Sequence, residues 1–159
     1  GLITRVARYH NVYGPIGTFG SEREKAPSAL CRKLIQAKLS GKHEIEIWGD
    51  GEQTRSFTYI DDCIKGTCMI HNSAYSIPLN LGSSELVTIN QLVDLIEKIS
   101  GITVKRHYNL NAPKGVRGRN SDNTLIKKYL NWEPSINLQE GMAKTYSWIY
   151  DQMKAKLRV

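Results

Sequence analysis

Side chains able to grip an anion fall on three short stretches of this sequence. "TFGSEREKAP" (Thr18–Pro27) crowds Arg23, Glu24 and Lys25 at the start of a segment that reads as a helix. Unpaired N–H groups and the positive end of the macrodipole lie at such a start, where a cation costs roughly 0.3–1 kcal/mol. The cluster therefore has two readings. Either Glu24 screens the two cations and all three are solvated, or they face a phosphate or an electron-rich oxygen.

"QTRSF" sets Arg55 at the mouth of a strand, and a guanidinium held there can take a diphosphate in bidentate fashion. "GVRGR" places Arg117 and Arg119 beside glycines that let the backbone approach a ligand closely. The sequence carries no GxGxxG, Walker A, HExxH or GxSxG motif. His10, His43, His71 and His107 lack metal-ligand spacing. Taken alone, these residues describe a gripping surface without a complete catalytic engine.

The elements that must carry this surface alternate, strand then helix, along 159 residues, which makes the class α/β. Ile3–Tyr9 reads as a buried strand, and a chain that starts inside its sheet and without Met is expected to have an upstream portion. A helix is expected from about Lys25 to Ser40, stopped by Gly41. Glu44–Gly49 alternates like a half-exposed strand, and Arg55–Ile60 reads as another, with Asp61 and Asp62 capping the helix behind it. Thr88 and Gln91 form a capping box ahead of the apolar stripe Ile89, Leu92, Val93, Ile96 and Ile99. Trp48, Trp132 and Trp148 read as packing residues. Cys31, Cys63 and Cys68, an odd number without ligand spacing, read as reduced thiols of a cytoplasmic protein. The net charge of +7 favours an anionic partner. Arg-Gly pairs occur once and without interleaved aromatics, so a nucleic acid is not expected, and no apolar run is long enough for a membrane span.

"RYHNVYGP" (Arg8–Pro15), "GDGEQTRSFTYIDD" (Gly49–Asp62), "LNLGSS" (Leu79–Ser84) and "DNTLIKKYLNWEPSINLQEG" (Asp122–Gly141) occur here in an order that resembles the C-terminal half of extended short-chain dehydrogenase/reductase enzymes acting on nucleotide sugars. "REKAPSALCRK" (Arg23–Lys33) and "GVRGRNSDN" (Gly115–Asn123) are similar, within that family, to the GDP-mannose 3,5-epimerases. The resemblance implies the last strands of a Rossmann sheet (about 1–15 and 55–82) plus a smaller substrate-binding domain (about 16–54 and 83–159). The cofactor-binding half is expected to be absent.

It also implies a chemistry. Bound NAD oxidises C4 of GDP-mannose to a ketone, the protons at C3 and C5 become acidic, and one group removes them while another returns them. The removing cysteine and the Tyr/Lys pair that serves C4 belong, in that family, to the N-terminal half. By resemblance Lys25 is the acid. A lysine does such work when burial or neighbouring cations bring its pKa toward neutrality. Asn11, Glu24, Ala26, Lys33, Gln53, Thr54 and Arg55 match substrate-contacting positions. Arg119 matches an active-site arginine near the diphosphate, and Tyr9 and His10 lie where relatives pass the nicotinamide. The full-length protein is expected to be a homodimer. The alternatives are another nucleotide-sugar 4-epimerase or dehydratase on the same scaffold, or a sugar-nucleotide-binding fragment without turnover.

Overall fold

Parallel pairing dominates the strands of the computed structural model, which describes residues 1–21, 23–113 and 115–157. In chain order the elements are β1 (Ala7–Tyr9), β2 (Val12–Tyr13), α1 (Ala26–Ser40), β3 (Glu44–Trp48), β4 (Thr54–Arg55), β5 (Thr58–Tyr59) and α2 (Ile60–His71). They continue with β6 (Leu79–Leu81), β7 (Val87–Thr88), α3 (Ile89–Ser100), β8 (Lys105–Asn109), β9 (Gly118–Arg119), α4 (Thr124–Leu130) and α5 (Leu138–Lys156). Strand β1 pairs parallel with β6, β2 with β5, and β3 with β8. Strand β4 lies between β7, antiparallel, and β9, parallel, in the register Arg55↔Arg119.

Two apolar clusters hold these layers. One gathers α1, α3 and α5 through Leu34, Ile35, Leu92, Ile96, Met142 and Ile149, and reaches Ile45 and Ile47 of β3. Each such side chain contributes about 1.5–3 kcal/mol on leaving water. The other joins α2, β6 and α4 through Cys63, Ile70, Leu79, Leu81, Ile126 and Trp132. It is packed closely enough that a Cβ on Gly66 would stand 2.2 Å from Leu81 Cδ1 and 3.0 Å from the Trp132 ring. Gly66→Ala is therefore expected to cost about 1–3 kcal/mol by overpacking, read as a lower urea midpoint at unchanged slope. An unchanged midpoint would show that Leu81 and Trp132 have room to move.

Local signals explain most of the boundaries. The Thr88 hydroxyl accepts from Gln91 N–H at 3.0 Å while the Gln91 amide oxygen accepts from Thr88 N–H at 2.8 Å, the expected capping box. Gly41 and Gly101 stop their helices in the left-handed region, at φ 70° and 71°. Strand β3 alternates buried and exposed, as its sequence requires.

Several expectations fail, each for a physical reason. Only Ala7–Tyr9 of the first segment is a strand, and it is not buried: β1 pairs with β6 alone, and although Ala7 packs against the small cluster, Tyr9 is 54% exposed and Ile3, ahead of the strand, 79%. Arg55–Ile60 is not one strand: Arg55 ends β4, Thr58–Tyr59 is the whole of β5, which belongs to a different sheet, and Ile60 already begins α2. The N-cap of α2 is Tyr59. Asp62 turns inward instead, accepting from Ser135 N–H (3.0 Å), Ser135 Oγ–H (2.7 Å) and Ile136 N–H (2.9 Å). Trp132 is buried, but Trp48 is 51% exposed, its indole N–H donated to Glu46. Among the described residues, no helix is long and apolar enough to cross a membrane, and no group of histidine, cysteine and carboxylate side chains could hold a metal ion.

Candidate functional site

A cleft of about 510 Å³ opens where the first turns of α1 face β3 and β4. That volume lies in the range of roughly 300–1,000 Å³ usual for small-molecule sites. One wall is the helical face Ala26, Ala29, Leu30 and Lys33, whose spacing of three and four places these residues side by side. The opposite wall is Glu46, Ile47 and Trp48 of β3 with Gln53 and Arg55 around β4. Ser21, Glu24, Arg32, Ile89 and Pro113 complete it.

The polar groups are held from behind. Lys33 Nζ donates to the Glu46 carbonyl at 2.7 Å, and burial pushes its pKa below the usual lysine value. Arg55 Nη1 donates to the Thr54 carbonyl at 2.6 Å; burial, and then the neighbouring Arg119, lower its pKa, although a guanidinium stays charged. Gln53 Nε2 donates to the Trp48 carbonyl at 2.9 Å, while its Oε1 is buried without a donor among the described residues. An acceptor left so costs about 1–3 kcal/mol and calls for a donor, such as a hydroxyl or an N–H of a ligand.

Glu24 settles the double reading of the charged cluster differently from either alternative. Its carboxylate takes Arg32 in bidentate fashion, with Nη2 on Oε1 and Nε on Oε2 at 2.9 Å, and Gly20 N–H adds a bond at 2.8 Å. The Arg32 hydrogen bond, followed by that from Gly20, holds the carboxyl below its usual range against the opposing effect of burial. Arg23 and Lys25 are exposed. Glu22, Lys114 and Arg158 lie outside the described residues.

The cleft thus brings together Glu24, Ala26, Lys33, Gln53 and Arg55 of the residues expected from sequence. Lys25 stands at the N-cap of α1, between two cleft residues but not itself in the wall. Thr54 and Arg119 flank the wall through the β4–β9 pair. Asn11 is committed to the backbone: at φ 41° it donates Nδ2–H to the Ser56 carbonyl at 3.0 Å, and its own carbonyl accepts from Thr58 N–H at 3.2 Å. Tyr9 and His10 lie apart from the cleft, at the carboxyl end of the parallel β1–β6 pair. Tyr9 OH meets Thr67 Oγ1 at 3.2 Å, and His10 N–H donates to the Leu81 carbonyl at 3.1 Å.

Arg32 is among the polar cleft residues that sequence reasoning missed, with Ser21, Glu46 and Trp48. Glu24 precedes the helix, so the eight-residue separation of the pair matches no intrahelical spacing. Two motif spacings also went unmarked. Gly14, Gly17 and Gly20 follow the GxxGxxG spacing, but the third glycine lies well ahead of α1, whereas a phosphate fingerprint needs it against the helix start. Tyr150 and Lys154 are a Tyr-x-x-x-Lys pair near the end of α5, with Lys154 Nζ over the Tyr150 ring at 5.7 Å and neither residue in the cleft.

Comparison with known proteins gives this geometry its relatives. The model of the "NAD dependent epimerase/dehydratase family" matches residues 1–82. GDP-mannose 3,5-epimerase 1 of Oryza sativa subsp. indica is 45% identical over 154 residues, covering 97% of this chain and 39% of the rice protein. UDP-glucose 4-epimerase of Thermotoga maritima, solved with UDP-glucose, superposes with a TM-score of 0.83 at 28% identity, over 93% of this chain and 46% of that one. UDP-glucuronic acid 4-epimerase of Bacillus cereus, solved with UDP-glucuronic acid and NAD, gives 0.75 at 31% identity over 94% and 45%. The chain therefore spans less than half the length of these relatives.

Proposed function

Because the chain belongs to the NAD dependent epimerase/dehydratase family, we propose that it forms the substrate-binding wall of an enzyme that epimerises GDP-mannose at C3 and C5. The observation that carries this reading is the cleft, with Lys33 and Arg55 as cations and the Gln53 Oε1 acceptor waiting for a donor. Cations suit a diphosphate, and the acceptor suits a sugar hydroxyl. The substrate choice rests on the 45% identity to the rice GDP-mannose 3,5-epimerase, as both solved relatives carry UDP-sugars.

In this reading residues 1–15 and 55–82 belong to a Rossmann sheet, and 16–54 and 83–159 mainly to a substrate domain. Asn11, Glu24, Ala26, Lys33, Gln53, Thr54 and Arg55 border the nucleotide sugar, and Arg119 attends the diphosphate from beside Arg55. Lys25, one residue from the wall on either side, returns the proton. The placement of Tyr9 and His10 fits a cofactor border, since ligands of open α/β sheets lie beyond the carboxyl ends of parallel strands. NAD, when bound, supplies hydride acceptance and return at C4, which makes the C3 and C5 protons removable. A cytoplasmic homodimer completes the reading.

The test is incubation of the whole protein containing this chain with NAD and GDP-mannose, with products separated by chromatography. GDP-L-galactose and GDP-L-gulose are the expected products, and the 159-residue chain alone should show no turnover. Activity confined to UDP-sugars would overturn the substrate. Turnover by the chain alone would overturn the division of labour.

A further inference from the structure

Gln53 carries the acceptor on which ligand binding is read here, yet it sits on a connection with little stiffness of its own. Between β3 and β4 the chain passes two glycines in the left-handed region, Gly49 at φ 80° and Gly51 at φ 78°. The Gln53 side chain spans this turn from inside, Nε2 donating to the Trp48 carbonyl at 2.9 Å. The aim of its Oε1 therefore depends on the shape of the whole turn.

The first residues of α3 set that shape. The opening N–H groups of a helix have no partner within it. Gln91 N–H goes to the Thr88 hydroxyl, but Ile89 N–H goes to the Gln53 carbonyl at 3.2 Å and Asn90 N–H to the Gly51 carbonyl at 3.0 Å. Asn90 adds its side chain, Nδ2 donating to Glu52 Oε1 at 2.6 Å and to the Asp50 carbonyl at 3.3 Å. Tyr108 OH donates to Asn90 Oδ1 at 3.0 Å, which fixes the direction of the amide. The fit is close: a Cβ on Gly51 would stand 2.3 Å from that Oδ1. Ile89 and Gln53 line the cleft, and Asn90 stands behind them. We infer that Asn90 is a positioning residue for ligand binding, which holds the Asp50–Gln53 turn so that Gln53 Oε1 meets a ligand donor already aimed. This rests on the nucleotide-sugar reading above and deepens it. Without the clasp the turn relaxes, and binding must order it again.

The test is calorimetric titration with GDP-mannose of the whole protein and its variants, below their melting temperatures. Asn90→Ala should bind about tenfold more weakly, the worth of one hydrogen bond to the ligand. Gln53→Leu should lose a similar factor, and Asn90→Ala/Gln53→Leu no more than Gln53→Leu alone. Asn90→Asp keeps the Tyr108 bond but sets a like charge beside Glu52, and should bind as weakly as the alanine variant. Adding Glu52→Gln returns a donor across the same gap and should recover most of the affinity. A merely structural Asn90 would lower the melting temperature and leave these ratios alone. Wild-type affinity in Asn90→Ala, a further loss in Asn90→Ala/Gln53→Leu, or no recovery in Asn90→Asp/Glu52→Gln would each overturn the inference, while binding by the wild type keeps the nucleotide-sugar reading. A wild type that binds no GDP-mannose, or a Gln53→Leu variant that binds like the wild type, would instead strike the reading at Gln53 and the inference with it.

Discussion

Lys25→Met, introduced into the whole protein, is expected to lower epimerisation at C3 and C5 by roughly 10²–10⁴-fold, the usual contribution of a positioned general acid. Methionine keeps the length of the side chain and removes its proton. Affinity for GDP-mannose should stay within a few-fold, because the cleft wall is built by Glu24 and Ala26 on either side of Lys25 and not by Lys25 itself. Proton exchange at C3 and C5 in deuterated water, followed by NMR, separates removal from return. The expected variant still exchanges the C3 and C5 protons but fails to invert either carbon. Wild-type inversion by this variant would transfer the role elsewhere, with Lys33, the half-buried lysine inside the cleft, the next to replace.

The second large effect concerns stability. Asp62 is 2% exposed and accepts three hydrogen bonds from Ser135 and Ile136. Ile136 packs against the large core, whereas Cys63, beside Asp62 on α2, belongs to the small one. The carboxylate thus ties the two clusters together across the chain. Asp62→Ala strands two backbone N–H groups at about 1–3 kcal/mol each, so a loss of roughly 2–5 kcal/mol is expected. At 2–4 °C per kcal/mol for a chain of this size, thermal unfolding should fall by about 5–15 °C. Asp62→Asn, which retains one acceptor oxygen, should lose part of that. A melting temperature unchanged in the alanine variant would mean that water replaces the carboxylate.

The sequence discloses what is encoded locally and hides what depends on distant partners. Helix α3 was legible because its cap, stripe and stop lie within fourteen residues, Thr88 to Gly101. The face Ala26, Ala29, Leu30 and Lys33 follows from helical period once the helix start is known. Asp62 was misread because an acidic residue at a helix start has a good local use, and nothing nearby in sequence announces Ser135. Arg32 was missed for a related reason: its partner comes from the loop before the helix. The β-branched segment Ile3–Tyr9 shows the converse limit, since pattern registers a wish for cover and not its provision. The pairing of Lys33, Gln53 and Arg55 in one cleft rests on tertiary geometry, and resemblance anticipated it where residue chemistry could not.

The register of β4 against β9 carries an evolutionary consequence. Arg55 and Arg119 are direct parallel partners, so their side chains leave the same face, while Thr54 Oγ1 would stand only 2.9 Å from a Cβ on Gly118. Strand geometry counts in twos. A single-residue insertion between Asn109 and Gly118 that shifted this pairing would swing one arginine through the sheet and press a side chain onto Thr54. An insertion absorbed within the connection leaves the pairing as it is, whereas one that slips the register calls for a compensating bulge or a different cation.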